Sequence, residues 1–145
     1  EGDAFLLTRL IAYALNVQEG IEFTGGIASP DEPAVWVKSL IGEILLWIDI
    51  GNPSARRLHK ASKASKLVCV YTHKDPKNLL EEMAGEDIHK KNSIEVFSLS
   101  PKLLDALVET VERDNAWELL YTEGELSITV KGETYIGEIR RININ

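Results

Sequence analysis

The chain has 145 residues, is 44% hydrophobic, carries a net charge of −7 and contains one cysteine. That length suits one domain with a buried core and argues against two. The charge argues against general electrostatic affinity for nucleic acid but leaves room for a local basic patch or an acidic metal site. One cysteine excludes a disulfide framework, and no apolar run approaches the ~20 residues needed to cross a bilayer.

The first element is a periodic helix over 3–17, with Ala12 and Ala14 small enough for close packing. Glu1 and Asp3 open it, where the helix dipole favours acids; Glu1 reads either as such a helix-end charge or as a site acid. Residues 21–27 read as a short strand ended by glycines. Ser29-Pro30-Asp31-Glu32-Pro33 is a turn by composition. Residues 35–41 are apolar and are expected to form a short helix or an irregular segment.

The organising stretch is 42–62. Ile44 to Ile48 is apolar on both faces, which marks a central strand covered on each side. It ends in Asp49, a charge that must be paired, hydrated or metal-bound. Gly51 and Pro53 break the strand, and Ser54 suits a helix N-cap. The helix 54–65 is basic, with Arg56, Arg57, His59, Lys60 and Lys63. So short a connection lays it over the strand end that carries Asp49. The plain alternative to a site is that Asp49 merely pairs with Arg56, Arg57 or Lys60.

A second apolar strand spans 66–73 and holds Cys69, expected to be a buried thiol in a reducing compartment. It should lie beside 44–49, parallel to it. Helix 76–85, strand 94–100 and helix 101–113 follow. Alternating residues then read as a hairpin around Gly124 and a further strand. These elements define an α/β fold: a mixed central sheet flanked by helices, ending in antiparallel hairpins. The expectation is one domain over 1–145, soluble and cytoplasmic. The start at a helix, without Met, points to a further segment upstream.

No phosphate loop or nucleophile elbow is present, and His59, His73 and His89 lack zinc spacing. What remains is a set of acids at element ends with cations nearby, which suits a hard divalent ion and a phosphate.

The blocks EGDAFLLTRLIAYAL, FTGGI with DEPAVW, and LWIDIGNPSARRLHKAS occur in the order found in the YaeQ family, and the chain resembles that family over about half its length. Members usually carry strands before this helix. The family in turn resembles the PD-(D/E)XK nuclease superfamily, with an α-β-β-β-α-β core, Mg²⁺-binding acids and a lysine that helps activate water. The resemblance implies metal-ligating roles for Glu1, Asp31 and Asp49 toward Mg²⁺ or Mn²⁺, with catalytic roles for Asp31 and Asp49. It departs at Gly51, which stands where the motif lysine is expected. Lys60, sharing a helix face with Arg57, is the substitute choice, and Arg57 and Asn52 are the candidate substrate-binding residues. Two functional readings follow: a metal-dependent nuclease-like protein acting on phosphodiesters, or a non-catalytic nucleic-acid-binding or regulatory protein on the same frame.

Overall fold

A computed structural model describes residues 2–24, 32–110 and 116–142. Helix α1 (Asp3–Leu15) is followed by three antiparallel strands, β1 (Ile21–Phe23), β2 (Val35–Lys38) and β3 (Ile44–Ile50). Helix α2 (Ala55–Ala64) leads to β4 (Leu67–Thr72), parallel to β3, and α3 (Lys77–Gly85) leads to β5 (Glu95–Leu99), parallel to β4. Helix α4 (Pro101–Val108) precedes β6 (Trp117–Thr122), β7 (Glu125–Val130) and β8 (Glu133–Ile142). The sheet order is β1-β2-β3-β4-β5-β8-β7-β6. Strand β8 is long enough to do two jobs. Its first part pairs with β7 and its last part, from Ile139 to Ile142, pairs with β5.

The expected mixed sheet with a parallel β3–β4 pair and terminal hairpins is what forms. Residues 35–38, expected to be a short helix or irregular, form β2 instead. Four residues are too few for periodicity to decide, and pairing on both sides decides the matter: Trp36 lies opposite Glu22 on β1 and Trp47 on β3. Helix α4 ends at Val108, short of the expected residue 113, and residues 111–115 lie outside the described part.

The sheet separates two apolar layers. On one face, α2 buries Leu58 and Ala61, and α3 buries Leu79 and Met83, against Trp47, Val68 and Val70. On the other, α1 buries Leu7 and Ile11, and α4 buries Leu103 and Leu107, against Val35, Ile48, Leu126 and Ile128. The sheet curls so that its C-terminal strands join this second layer. Ser54 caps α2 by accepting the Arg57 backbone N–H at 3.1 Å, and Ser100 caps α4 through Leu103 N–H at 3.3 Å. Cys69 is buried, as expected; burial raises its thiol pKa.

Helix α4 rests directly on β8 at Gly137, where a Cβ would come within 2.6 Å of Leu103 Cβ. Gly137→Ala should therefore push α4 off the strand and cost about 1–3 kcal/mol of stability, read as a lowered urea midpoint with unchanged slope.

Candidate functional site

Strands β3 and β4 run parallel, so their C-terminal ends open at the same edge of the sheet. Open α/β sheets commonly bind ligands in the crevice at such ends. Here a cavity of about 460 Å³ is lined by Asp49, Asn52 and Arg57 with His73 and Lys74, and by Gly2 and Phe5 from the start of α1.

Asp49 is only 2% exposed. Arg57, in the first turn of α2, reaches back to it with both arms of the fork. Its Nε donates to Oδ2 at 2.8 Å and its Nη2 donates to Oδ1 at 3.0 Å. Nη2 also donates to the Glu32 carbonyl at 2.7 Å, and the guanidinium lies 6.0 Å from the Trp47 ring centre. This bidentate geometry is the strong form of a carboxylate–guanidinium contact. The hydrogen bonds that Arg57 donates to Asp49 raise its pKa above its already high ordinary value, so the guanidinium stays charged.

Gly51 follows with φ of +90°, and its N–H donates to the Tyr71 carbonyl at 2.9 Å. A side chain there is strained by the backbone alone. Asn52 ties the two strand ends together. Its Oδ1 accepts from the Thr72 hydroxyl at 2.8 Å, and its Nδ2 donates to the Asp75 carbonyl at 3.1 Å. Thr72 is fully buried and also accepts the Lys74 N–H at 3.1 Å.

His73 and Lys74 directly follow β4 and line the same cavity. The His73 ring stands edge-on to Phe5, with ring centres 6.4 Å apart. Its Nδ1 is buried with no hydrogen-bond partner among the described residues. Burial, helped by the charge of Lys74, lowers its pKa below the ordinary histidine range.

Of the residues singled out from the sequence, Asp49, Asn52 and Arg57 come together in this cavity. Lys60 is exposed further along α2 and is not among the lining residues. Glu1 and Asp31 lie outside the described residues. The chain on either side of 25–31 is pinned, because Arg9 of α1 donates to the Thr24 carbonyl at 2.8 Å and to the Ala34 carbonyl at 3.1 Å. His73 and Lys74 were missed as site residues. The available signal was a strand ending in His-Lys beside a parallel strand ending in Asp. Among the described residues, no three His, Cys, Asp or Glu side chains gather as a metal set. Both Asp49 oxygens are engaged by Arg57, so the described residues alone do not fit a divalent cation in this arrangement.

The class defined here is a mixed α/β protein with a buried carboxylate–guanidinium pair at the C-terminal ends of two parallel strands. The model of the YaeQ protein family matches residues 1–138, and the chain belongs to that family. The uncharacterized protein YaeQ of Escherichia coli (strain K12) is 34% identical over 68 residues, covering 47% of this chain and 38% of that protein. Its counterpart from Salmonella typhi is 32% identical over the same length. The match thus spans well under half the length of these curated relatives. Two crystal structures extend the likeness to the whole fold. The YaeQ protein from Pseudomonas syringae has a TM-score of 0.87 at 24% identity, covering 98% of this chain and 79% of that one. The YaeQ protein from Xanthomonas axonopodis pv. citri has a TM-score of 0.84 at 25% identity, covering 97% and 80%. No described helix is long and apolar enough to cross a membrane.

Two outcomes follow. Asp49→Asn takes the bidentate carboxylate charge away from a half-buried guanidinium and should cost about 2 kcal/mol in chemical denaturation, less than a fully buried pair because the Arg57 side chain is 26% exposed. His73 resists protonation when folded, whereas the unfolded chain accepts a proton near pH 6.5. Stability should therefore fall as pH drops below that value and level off below the folded-state pKa. Urea midpoints of the wild type and His73→Gln between pH 7.5 and 5 should diverge, with the variant less acid-sensitive.

Proposed function

We propose that this protein binds phosphate groups of a nucleic acid in the cavity at the ends of β3 and β4, on a nuclease-like frame and without cleaving them. The observation that carries this reading is the occupation of Asp49. The acid on which metal-dependent hydrolysis would depend has both oxygens bonded to Arg57. The groups that line the opening beside it are a cation, Lys74, and a histidine whose pKa burial lowers. A phosphate entering there meets Lys74, a donor suited to its oxygens. It also draws a proton onto His73, because an anion favours the imidazolium. The frame itself is supported by the element order α1-β1-β2-β3-α2-β4, which is the order the nuclease-like resemblance implies.

That same order favours a second reading, metal-dependent hydrolysis. In it Glu1, Asp31 and Asp49 would hold Mg²⁺ or Mn²⁺, and the ion would supply water activation and charge stabilisation. Arg57 would first have to leave Asp49. Lys60 would serve as the lysine of the motif.

Anisotropy titration of a labelled single-stranded oligonucleotide separates these. The wild type should bind with strong salt dependence, Lys74→Ala should weaken binding about fivefold to tenfold, and the strand should stay intact in Mg²⁺. Cleavage in Mg²⁺ that is lost in Asp49→Asn would put hydrolysis in its place. No binding by the wild type would remove both readings.

A further inference from the structure

The register of the sheet places a second polar position beyond the cavity. Thr72 on β4 lies opposite Ser98 on β5, and Ser98 lies opposite Arg140 on β8. Paired residues share a face of the sheet. Asn52 joins the row through its hydrogen bond to Thr72. A line of polar positions, Asn52-Thr72-Ser98-Arg140, with Thr72 buried beneath the surface, therefore crosses from the end of β3 to β8. Three strand spacings of about 4.8 Å make this roughly 14 Å, more than one phosphate group bridges.

A second cavity, of about 360 Å³, opens at the far end of this row and is lined by Ser98, Ser100 and Arg140. Arg140 is exposed and makes no ion pair among the described residues, although Glu138 lines the same cavity. Lys74, two residues beyond β4, lines the first cavity, and β4 lies between β3 and β5. An arginine facing solvent on a sheet is ordinarily just a solvated charge. This one stands in a concave position, at the same C-terminal strand edge as Arg57 and on a polar row that leads to it.

We infer that Arg140 and Ser98 form a second phosphate subsite, so that the ligand is a single nucleic-acid strand of several nucleotides lying across β3, β4 and β5. This rests on the phosphate-binding reading of the first cavity. Lys74 takes one phosphate, and Arg140 takes another further along the same strand. A mononucleotide would fill only the first cavity.

The test compares adenosine 5′-monophosphate with a 5′-phosphorylated single-stranded hexanucleotide, by titration into the full chain and into Arg140→Ala. The wild type should bind the hexamer at least tenfold more tightly than the monophosphate. Arg140→Ala should bring the hexamer to within about twofold of the monophosphate, leave the monophosphate unchanged, and reduce the slope of log affinity against log salt by about 1. Arg140→Lys should keep most of the length dependence. Hexamer affinity unchanged in Arg140→Ala overturns the second subsite and leaves the first cavity standing. Failure of the wild type to bind either probe overturns the first cavity and the second with it.

Discussion

The ion pair between Asp49 and Arg57 is the contact on which the arrangement of this protein turns. A carboxylate at the end of a central strand and 2% exposed is unfavourable unless a cation meets it with good geometry. Arg57 meets it in two parallel hydrogen bonds, and in doing so it joins β3, the start of α2 and the Glu32 carbonyl. Ser54 sets the helix start that makes this reach available. The contact therefore belongs to structure and site at once. It fixes the entry of α2, and it decides whether the acid or the guanidinium is offered to a ligand.

The two apolar layers have different relations to this edge. The layer under α2 and α3 carries Asp49 and Thr72 at its rim, while the layer under α1 and α4 carries His73 against Phe5. The cavity opens where both layers end, so its walls draw polar groups from each face of the sheet. Burial then treats those groups unequally. It lowers the His73 pKa, while the Asp49 carboxylate is held by Arg57. The opening is thus lined by the Phe5 and His73 rings and by Lys74 and Arg57 around one carboxylate that Arg57 already holds.

Much of this was readable from residues. The unbroken apolar run Ile44–Ile48 followed by a charge marks a central strand end, and Ser54 ahead of a basic helix marks what lies over it. Helix spacing by itself offered Arg56, Arg57 and Lys60 equally to Asp49. The folded structure pairs Arg57 with it. The strand character of Val35–Lys38 was hidden for a related reason, because a four-residue apolar segment takes its structure from its neighbours. His73, Lys74 and Arg140 gain meaning only through the register of β3 with β4 and of β5 with β8, which joins residues far apart in the chain. Local pattern carries no information about that register.

Strand β8 has one more consequence, for the order of assembly. Its last residues close the open edge of β5, yet α4, β6 and β7 must all be synthesised first. Until then β5 presents unpaired N–H and C=O groups, a template for any other extended segment nearby. Helix α4, docking through Leu103 close to Gly137, cannot seat fully before β8 arrives either. On the ribosome the β3–β4–β5 unit emerges with a sticky side, and slow translation between β5 and β8 would lengthen its exposure. The yield of folded protein should thus depend on how quickly the terminal hairpins reach the sheet, a kinetic burden that the strength of the finished core does nothing to relieve.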